Sequence, residues 1–499
     1  MITASHNPVQ DNGMKIVDSD GGMLAMSWEG FAAELANEPM ASAVAKLQDI
    51  AKAAGVQIPA ASCPSAVKVV IGCDTRPSSA LLRDLVKAGA EAVGVVVEDI
   101  GVVPTPVVHH VVRCTNSNDS TLKAAQSVQG YYDFMATALA DVLGSAGVGA
   151  ARAPLRVDCA SGVGSVTVAA LDGKLPACIA LQVVNGCDEP GAAGQLNDAC
   201  GAEYAQKQRL APRGFDTPTQ GPAASLDGDA DRVVYHYYAG AEWRLLDGDA
   251  IATLAAAFVQ EQISALGWSI AKPGSASDEA DAISVGVVQT AYANGASTAY
   301  IRDTLQLPIA MARTGVKFVH HAATAYDIGI YFEANGHGTV LFSDKVMQRA
   351  KATAADESAP AAARAAAVRL EAASRLINQA VGDAVSDVLF CEAVLVLKGW
   401  ELPQWDALYN DLPSRQLKVK VPDRDAFKPN DSETRLLQPE ELQASIDAAV
   451  AASGGSARAF VRPSGTEDVV RIYAEADDSA AADALAAKVQ QAIVDYAGQ

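Results

Sequence analysis

Apolar residues recur along this chain in short β-branched runs, each followed by a loop and then by a stretch of helical periodicity. Residues 67–71 predict a buried strand. Beyond Cys73-Asp74-Thr75-Arg76-Pro77 the pattern turns helical over 79–94, and 95–97 predict the next strand. Residues 155–159 predict another strand, closed by the glycine turn Ser161-Gly162-Val163-Gly164, and 284–290 a third. Such units in series predict parallel α/β layers. The tail has another rhythm: 459–461 and 469–476 read as strands and 480–496 as a helix, which predicts a smaller α+β domain.

Pro/Ala-rich stretches at 56–64 and 147–154 and a Gly/Ser/Asp stretch at 272–281 read as linkers. Boundaries near 150, 272 and 400 follow, giving domains 1–150, 151–272, 273–400 and 401–499. The Ala-rich segment 350–367 is expected to be a solvated helix or an insertion.

Composition narrows the function classes. The chain has 499 residues, half of them hydrophobic, enough for several cores, and at about 150 residues per domain three or four domains are expected. A net charge of −21 argues against nucleic acid and anionic membrane as partners. An anionic substrate then needs a local basic pocket. No apolar run reaches bilayer length, and Met1-Ile2-Thr3-Ala4-Ser5 does not begin a signal peptide. The eight cysteines include no C-x-x-C pair, so neither a zinc site nor a disulfide framework is indicated, and a reducing, cytoplasmic setting is expected.

Four loops carry candidate chemistry. Asp227, Asp229 and Asp231 crowd three carboxylates into five residues. Alternate residues of an extended stretch point the same way, so all three are expected to converge on one hard cation, with Mg²⁺ the natural choice. An EF-hand is excluded, because Arg232 stands where glycine is needed and Tyr238 where glutamate is needed. In isolation the same spacing also describes a solvated acidic turn.

Ser5, in Thr3-Ala4-Ser5-His6-Asn7-Pro8, is a hydroxyl that becomes a phosphoryl donor when stored as its phosphoester; Lys15 would help offset the charge. Ser5 lies in no G-x-S-x-G elbow, so a hydrolase triad is not indicated. Glu333, Asn335 and His337, in a glycine-rich loop with Gly336, suit paired hydrogen bonds to sugar hydroxyls and proton transfer. Upstream, Thr314-Gly315-Val316-Lys317 adds a hydroxyl and a cation. Arg462, Ser464, Gly465 and Thr466 describe a phosphate nest between two strands, with Arg471 a further cation or a surface ion pair. Each of these loops alone also fits an ordinary turn. No P-loop or dinucleotide fingerprint is present. The adjacent pairs His109-His110 and His320-His321 point apart, so packing or surface roles are expected.

Taken in order, the four loops resemble the α-D-phosphohexomutase superfamily, and the resemblance runs from residue 1 to about 498. Glu333-Ala334-Asn335-Gly336-His337-Gly338 is similar to its acetylglucosamine branch, where glucose and mannose mutases tend to have serine in place of Asn335. Gly286–Gly295, Leu246-Asp247-Gly248-Asp249, Gln404–Tyr409 and Arg462–Arg471 resemble that branch too. The resemblance implies three α/β domains with mixed sheets plus a smaller C-terminal α+β domain around a central cleft. It implies a phosphoserine at Ser5, and one Mg²⁺ held by Asp227, Asp229, Asp231 and the serine phosphate.

It further implies interconversion of the 6-phosphate and 1-phosphate of N-acetylglucosamine, on the route to UDP-N-acetylglucosamine, with a hexose 1,6-bisphosphate as activator. Lys15 and His337 match proton-transfer positions. His6, Arg232, Thr314, Lys317, Glu333, Asn335, Gly336, Arg462, Ser464, Gly465, Thr466 and Arg471 are implied substrate contacts. No obligate protein partner is implied. Two departures stand out. The family carries a further N-terminal segment with a first strand and a phosphate-contacting arginine, so the chain is expected to be truncated. An exposed sheet edge and an unanchored Ser5 loop are then expected, and the alternatives are a phosphoglucomutase or phosphomannomutase, or a non-catalytic sugar-phosphate binder. Cys73 also replaces an arginine.

Overall fold

A computed structural model describes residues 1–57, 67–149, 152–188, 194–218, 221–271, 282–465 and 467–497. The boundaries at 150 and 272, the expected linker 272–281 and most of 56–64 fall outside these residues, whereas 147–154 lies mostly within them. The chain divides into two compact units: Met1–Ala138 with Ala150–Val233 and Ala380–Ser386, and Leu139–Gly149 with Val234–Gln379 and Asp387–Gln499.

In the first unit, strand Lys68–Cys73 pairs in parallel with Val96–Val102, and helix Ser79–Ala92 connects them. A bulge between Ile71 and Cys73 shifts the register. Ile2 extends this sheet: its N–H donates to Gly72 O at 2.9 Å and its carbonyl accepts from Asp74 N at 3.0 Å. Cys73 is buried, and burial pushes its thiol up. The β-branched helix Thr105–Asn116 is almost wholly buried. His109 and His110 lie on it and bond the carbonyls of Gly21 and Ala125, so both pack, as expected. A second parallel group places Leu155–Asp158 between Leu181–Val184 and Ala223–Leu226.

The second unit holds, from Val234 onward, the hairpin strands Val233–Ala239 and Glu242–Leu246. Helix Gly248–Leu266 follows, apolar on nearly every side and buried accordingly. Strand Val285–Thr290 is buried throughout, between the parallel strands Ile309–Ala312 and Ile328–Phe332; Gly338–Phe342 completes the sheet antiparallel. The Ala-rich segment 350–367 is largely helical and mostly exposed, as expected. Asp344–Ala355 and Ala361–Leu376 are two helices packed on each other, and Ala363, Ala366 and Ala367 are buried. A stripe of alanines serves this close helix packing while most of the segment faces solvent. The tail gains a strand unseen in the sequence, Ser414–Lys420, paired antiparallel to the central Val469–Glu475, with Arg458–Pro463 on its other side. Helices Glu440–Ser453 and Ser479–Ala497 cover its core of Val461, Val470, Ile472, Leu485 and Val489. No helix among the described residues is long and apolar enough to cross a membrane.

Candidate functional site

The serine loop is anchored, contrary to expectation. Arg76, whose side chain is fully buried, uses all five of its guanidinium N–H groups. Nε donates to Asp74 Oδ2 at 3.0 Å, Nη1 to the carbonyls of Pro8 and Asp11, and Nη2 to those of Ser5 and Asn7, each at 2.9 Å. Asn197 Nδ2 donates to the same Ser5 and Asn7 oxygens. Thr3 Oγ1 donates to Asp74 Oδ2 and accepts from Ser5 N. These contacts hold Ser5 at φ 47°, a left-handed conformation that costs energy for a non-glycine residue. Charge-assisted hydrogen bonds offset that strain.

The carboxylate loop follows strand Ala223–Leu226 and is a tight turn, not the extended stretch the spacing predicts; Ala230 lies at φ 56°. The turn still brings Asp227, Asp229 and Asp231 together, with one oxygen of each within 4.8 Å of the others, and none is more than 4% exposed. A side chain at Gly228 would meet Ser5 O at 2.5 Å, so glycine is required where the two loops touch. Ser5 Oγ lies 3.3 Å from Asp229 Oδ2. Lys15 Nζ donates to Asp229 Oδ2 at 2.8 Å and to Asp231 Oδ2 at 2.7 Å.

Burial pulls the Lys15 ammonium down, but the two carboxylates outweigh it and hold the group above its ordinary value. Burial first, then the Asp231 and Asp229 charges, push Asp227 well above the usual carboxylate range. Asp227 Oδ2 and Asp229 Oδ1 are buried with no hydrogen-bond partner among the described residues. Buried hard-oxygen donors left this way fit a divalent cation. Arg232 Nε stands 3.8 Å from both Asp227 Oδ2 and Asp231 Oδ1. His6 lies 4.0 Å from Glu203; burial, then Arg232, lowers it to about 4.

In the second unit, Glu333 to His337 form the turn between strands Ile328–Phe332 and Gly338–Phe342. Glu333 N donates to His337 O, Gly336 N to Glu333 O, and His337 N to Asn335 Oδ1. A side chain at Gly248 would reach 1.8 Å from Glu333 O, so the start of the buried helix Gly248–Leu266 fixes this turn. Glu333 Oε1 accepts from Gly315 N at 3.0 Å, bringing the Thr314 segment beside it, with Lys317 in the first turn of helix Val316–Ala323.

Arg462 and Arg471 pair directly across the C-terminal hairpin. Nε of each is buried with no hydrogen-bond partner among the described residues, so two guanidiniums are incompletely satisfied side by side. Ser464 N donates to Val469 O, so that amide closes the hairpin and is not part of a nest, while its hydroxyl accepts from Glu467 N at 3.4 Å. Thr466 lies outside the described residues. Thus Ser5, Lys15, His6, Arg232 and the three aspartates gather in the first unit, and Thr314, Lys317, Glu333, Asn335, Gly336, His337, Arg462, Ser464, Gly465 and Arg471 lie in the second. Sequence reasoning missed Arg76, Asn197, Glu433 and Thr105. Thr105 Oγ1 donates to Asp229 Oδ2 and its N–H to Asp229 O. Of the four, only Arg76 had a signal, the Asp-Thr-Arg run just after a strand.

The family profile for domain III of phosphoacetylglucosamine mutase AMG1 matches residues 247–400. Profiles for the phosphoglucomutase/phosphomannomutase C-terminal domain and α/β/α domain I match 417–492 and, in two overlapping pieces, 1–39 and 35–125. The human phosphoacetylglucosamine mutase is 42% identical over 500 residues, covering 100% of this chain and 87% of its own length. The chain belongs to the phosphoacetylglucosamine mutase family. Phosphoacetylglucosamine mutase 1 of Schizosaccharomyces pombe is also 42% identical, over 99% of this chain and 91% of its own. The solved Aspergillus fumigatus N-acetylphosphoglucosamine mutase, in complex with GlcNAc-6P and magnesium, superposes with a TM-score of 0.89. It is 40% identical, over 100% of this chain and 88% of that one. This member of the family therefore shares the phosphohexomutase α/β architecture.

Proposed function

We propose that the chain interconverts N-acetylglucosamine 6-phosphate and N-acetylglucosamine 1-phosphate, feeding UDP-N-acetylglucosamine synthesis, through a phosphorylated Ser5 and a 1,6-bisphosphate intermediate. The observation that carries this reading is Ser5 Oγ, 3.3 Å from one of three buried, clustered carboxylates, on a loop clamped by Arg76. Fungal relatives solved with GlcNAc-6P and magnesium, and with glucose 1,6-bisphosphate, support it.

In the first half-reaction the bond between Ser5 Oγ and phosphorus breaks, a bond forms from phosphorus to the free hydroxyl oxygen of the monophosphate, and the departing Ser5 Oγ takes a proton from Lys15. The hydroxyl proton passes to a base, a role assigned to His337. The intermediate turns over, and its other phosphoryl group returns to Ser5. Asp227, Asp229 and Asp231 would hold one Mg²⁺, which supplies charge neutralisation at the transferring group. Lys15, bonded to Asp229 and Asp231, acts as a charge partner and proton donor. Arg462, Ser464, Gly465, Thr466 and Arg471 take the phosphate that does not react. Glu333, Asn335 and Gly336 hold the sugar, and His6, Arg232, Thr314 and Lys317 complete its surroundings. A hexose 1,6-bisphosphate primes Ser5.

The four-domain division at 150, 272 and 400 belongs to the same reading, as does a cytoplasmic setting, which the free thiols of the described cysteines support. The test is a mutase assay with Mg²⁺ and catalytic hexose 1,6-bisphosphate, offering the acetylated sugar beside glucose and mannose phosphates. Preference for the acetylated sugar is expected. Preference for glucose or mannose phosphate would overturn the substrate assignment.

A further inference from the structure

Arg462 and Arg471 face each other across strands Arg458–Pro463 and Val469–Glu475. Like charges directly opposite repel, and each Nε is buried without a hydrogen-bond partner among the described residues. One carboxylate reaches Arg462. Glu433 Oε2 accepts from Arg462 Nη1 at 3.1 Å and from the Thr314 backbone N–H at 3.0 Å. Both side chains of this pair are only 15% exposed.

Glu433 is placed by a built turn. Its φ is 55°, and its N–H donates to Asn430 O. Asn430 Oδ1 in turn accepts from the N–H groups of Thr434 and Arg435. A non-glycine residue held left-handed signals that its surroundings over-determine its position. Glu433 therefore meets Arg462 on Nη1 and leaves Nε to another anion.

We propose that Glu433 is the fixed counter-charge of the phosphate seat, a positioning residue that orients Arg462 and lowers the seat's affinity. This rests on the reading of Arg462, Ser464, Gly465 and Arg471 as the seat of the non-reacting phosphate. The reaction needs such tuning, because the intermediate must leave the seat with one phosphate and return with the other. Two guanidiniums with no opposing anion would hold a phosphate dianion too long. The Glu433 carboxylate repels that dianion at short range while keeping Arg462 aligned.

Glu433→Gln keeps an oxygen that accepts from Arg462 and Thr314 and removes only the charge. Inorganic phosphate, titrated calorimetrically against the full chain, is expected to bind about tenfold more tightly to Glu433→Gln. In the mutase assay KM and kcat are both expected to fall, as release becomes slower. A merely structural glutamate would not tighten binding. Weaker or unchanged phosphate affinity in a folded Glu433→Gln protein overturns the proposal. Arg462→Ala separates the two layers. If it weakens phosphate binding while Glu433→Gln fails to tighten it, only the counter-charge role falls. If it leaves phosphate binding unchanged, the seat reading falls and the counter-charge role with it.

Discussion

The first unit concentrates negative charge and the second, at its C-terminal hairpin, positive charge, and each cluster is met by charge of opposite sign. Lys15 bonds two of three aspartates; Glu433 bonds one of two arginines. Their surroundings differ. The aspartates are buried and the neighbouring serine loop is clamped through both Nη groups of Arg76. The guanidiniums sit in a partly exposed hairpin, and both Nε groups stay unsatisfied among the described residues. Where a covalent bond is made and broken, preorganised geometry matters most. Where a phosphate must come and go, moderate affinity matters more.

The largest expected effect is on the serine itself. Ser5→Ala should abolish turnover and leave the thermal unfolding profile in place; residual mutase activity near wild type would remove Ser5 as the carrier. Next is the clamp. Arg76→Met strips a buried ion pair of one partner and frees the loop, so a loss of about 3–5 kcal/mol in stability is expected. In whatever fraction folds, kcat should fall by roughly a hundredfold. A stable, active Arg76→Met protein would show that the loop needs no clamp.

On the other side of the comparison, Gly248→Ala drives a methyl group into the Glu333 carbonyl. It should raise KM for N-acetylglucosamine 6-phosphate by about tenfold or more while Ser5 still accepts phosphate from glucose 1,6-bisphosphate. Loss of Ser5 labelling in that variant would mean that the damage is not local.

Sequence made the chemistry-bearing loops legible because each joins scarce residue types at short spacing: three aspartates in five positions, a serine beside His6 and Asn7, an arginine before Pro463. The supports were not legible. Arg76 meets residues 5–11 only because Ile2 joins the sheet beside Gly72, and Glu433 meets Arg462 across 29 positions that carry no shared pattern. Fold reading was incomplete where composition stood in for packing. The segment 350–367 is mostly solvated helix, as expected, but helix propensity did not say that Ala363, Ala366 and Ala367 would be covered, and Ser414–Lys420 alternates charged residues with few apolar ones, hiding an outer strand.

A further expected effect is on stability against pH. Burial lowers His109 and His110 to about 4, against an ordinary 6.5. The unfolded chain therefore binds more protons than the folded one between those values. Stability is fully present above pH 6.5 and is lost as pH falls toward 4, by about 3 kcal/mol per histidine. Thermal melts across this window check it; a flat profile would contradict the buried, neutral assignment.

The central claim is that Ser5 carries the phosphoryl group, and mapping the phosphopeptide by mass spectrometry tests it most directly. After incubation with glucose 1,6-bisphosphate and Mg²⁺, one phosphate is expected on Ser5, removed on adding N-acetylglucosamine 6-phosphate and absent from Ser5→Ala. Sustained turnover with no phosphate ever found on Ser5 would contradict the account.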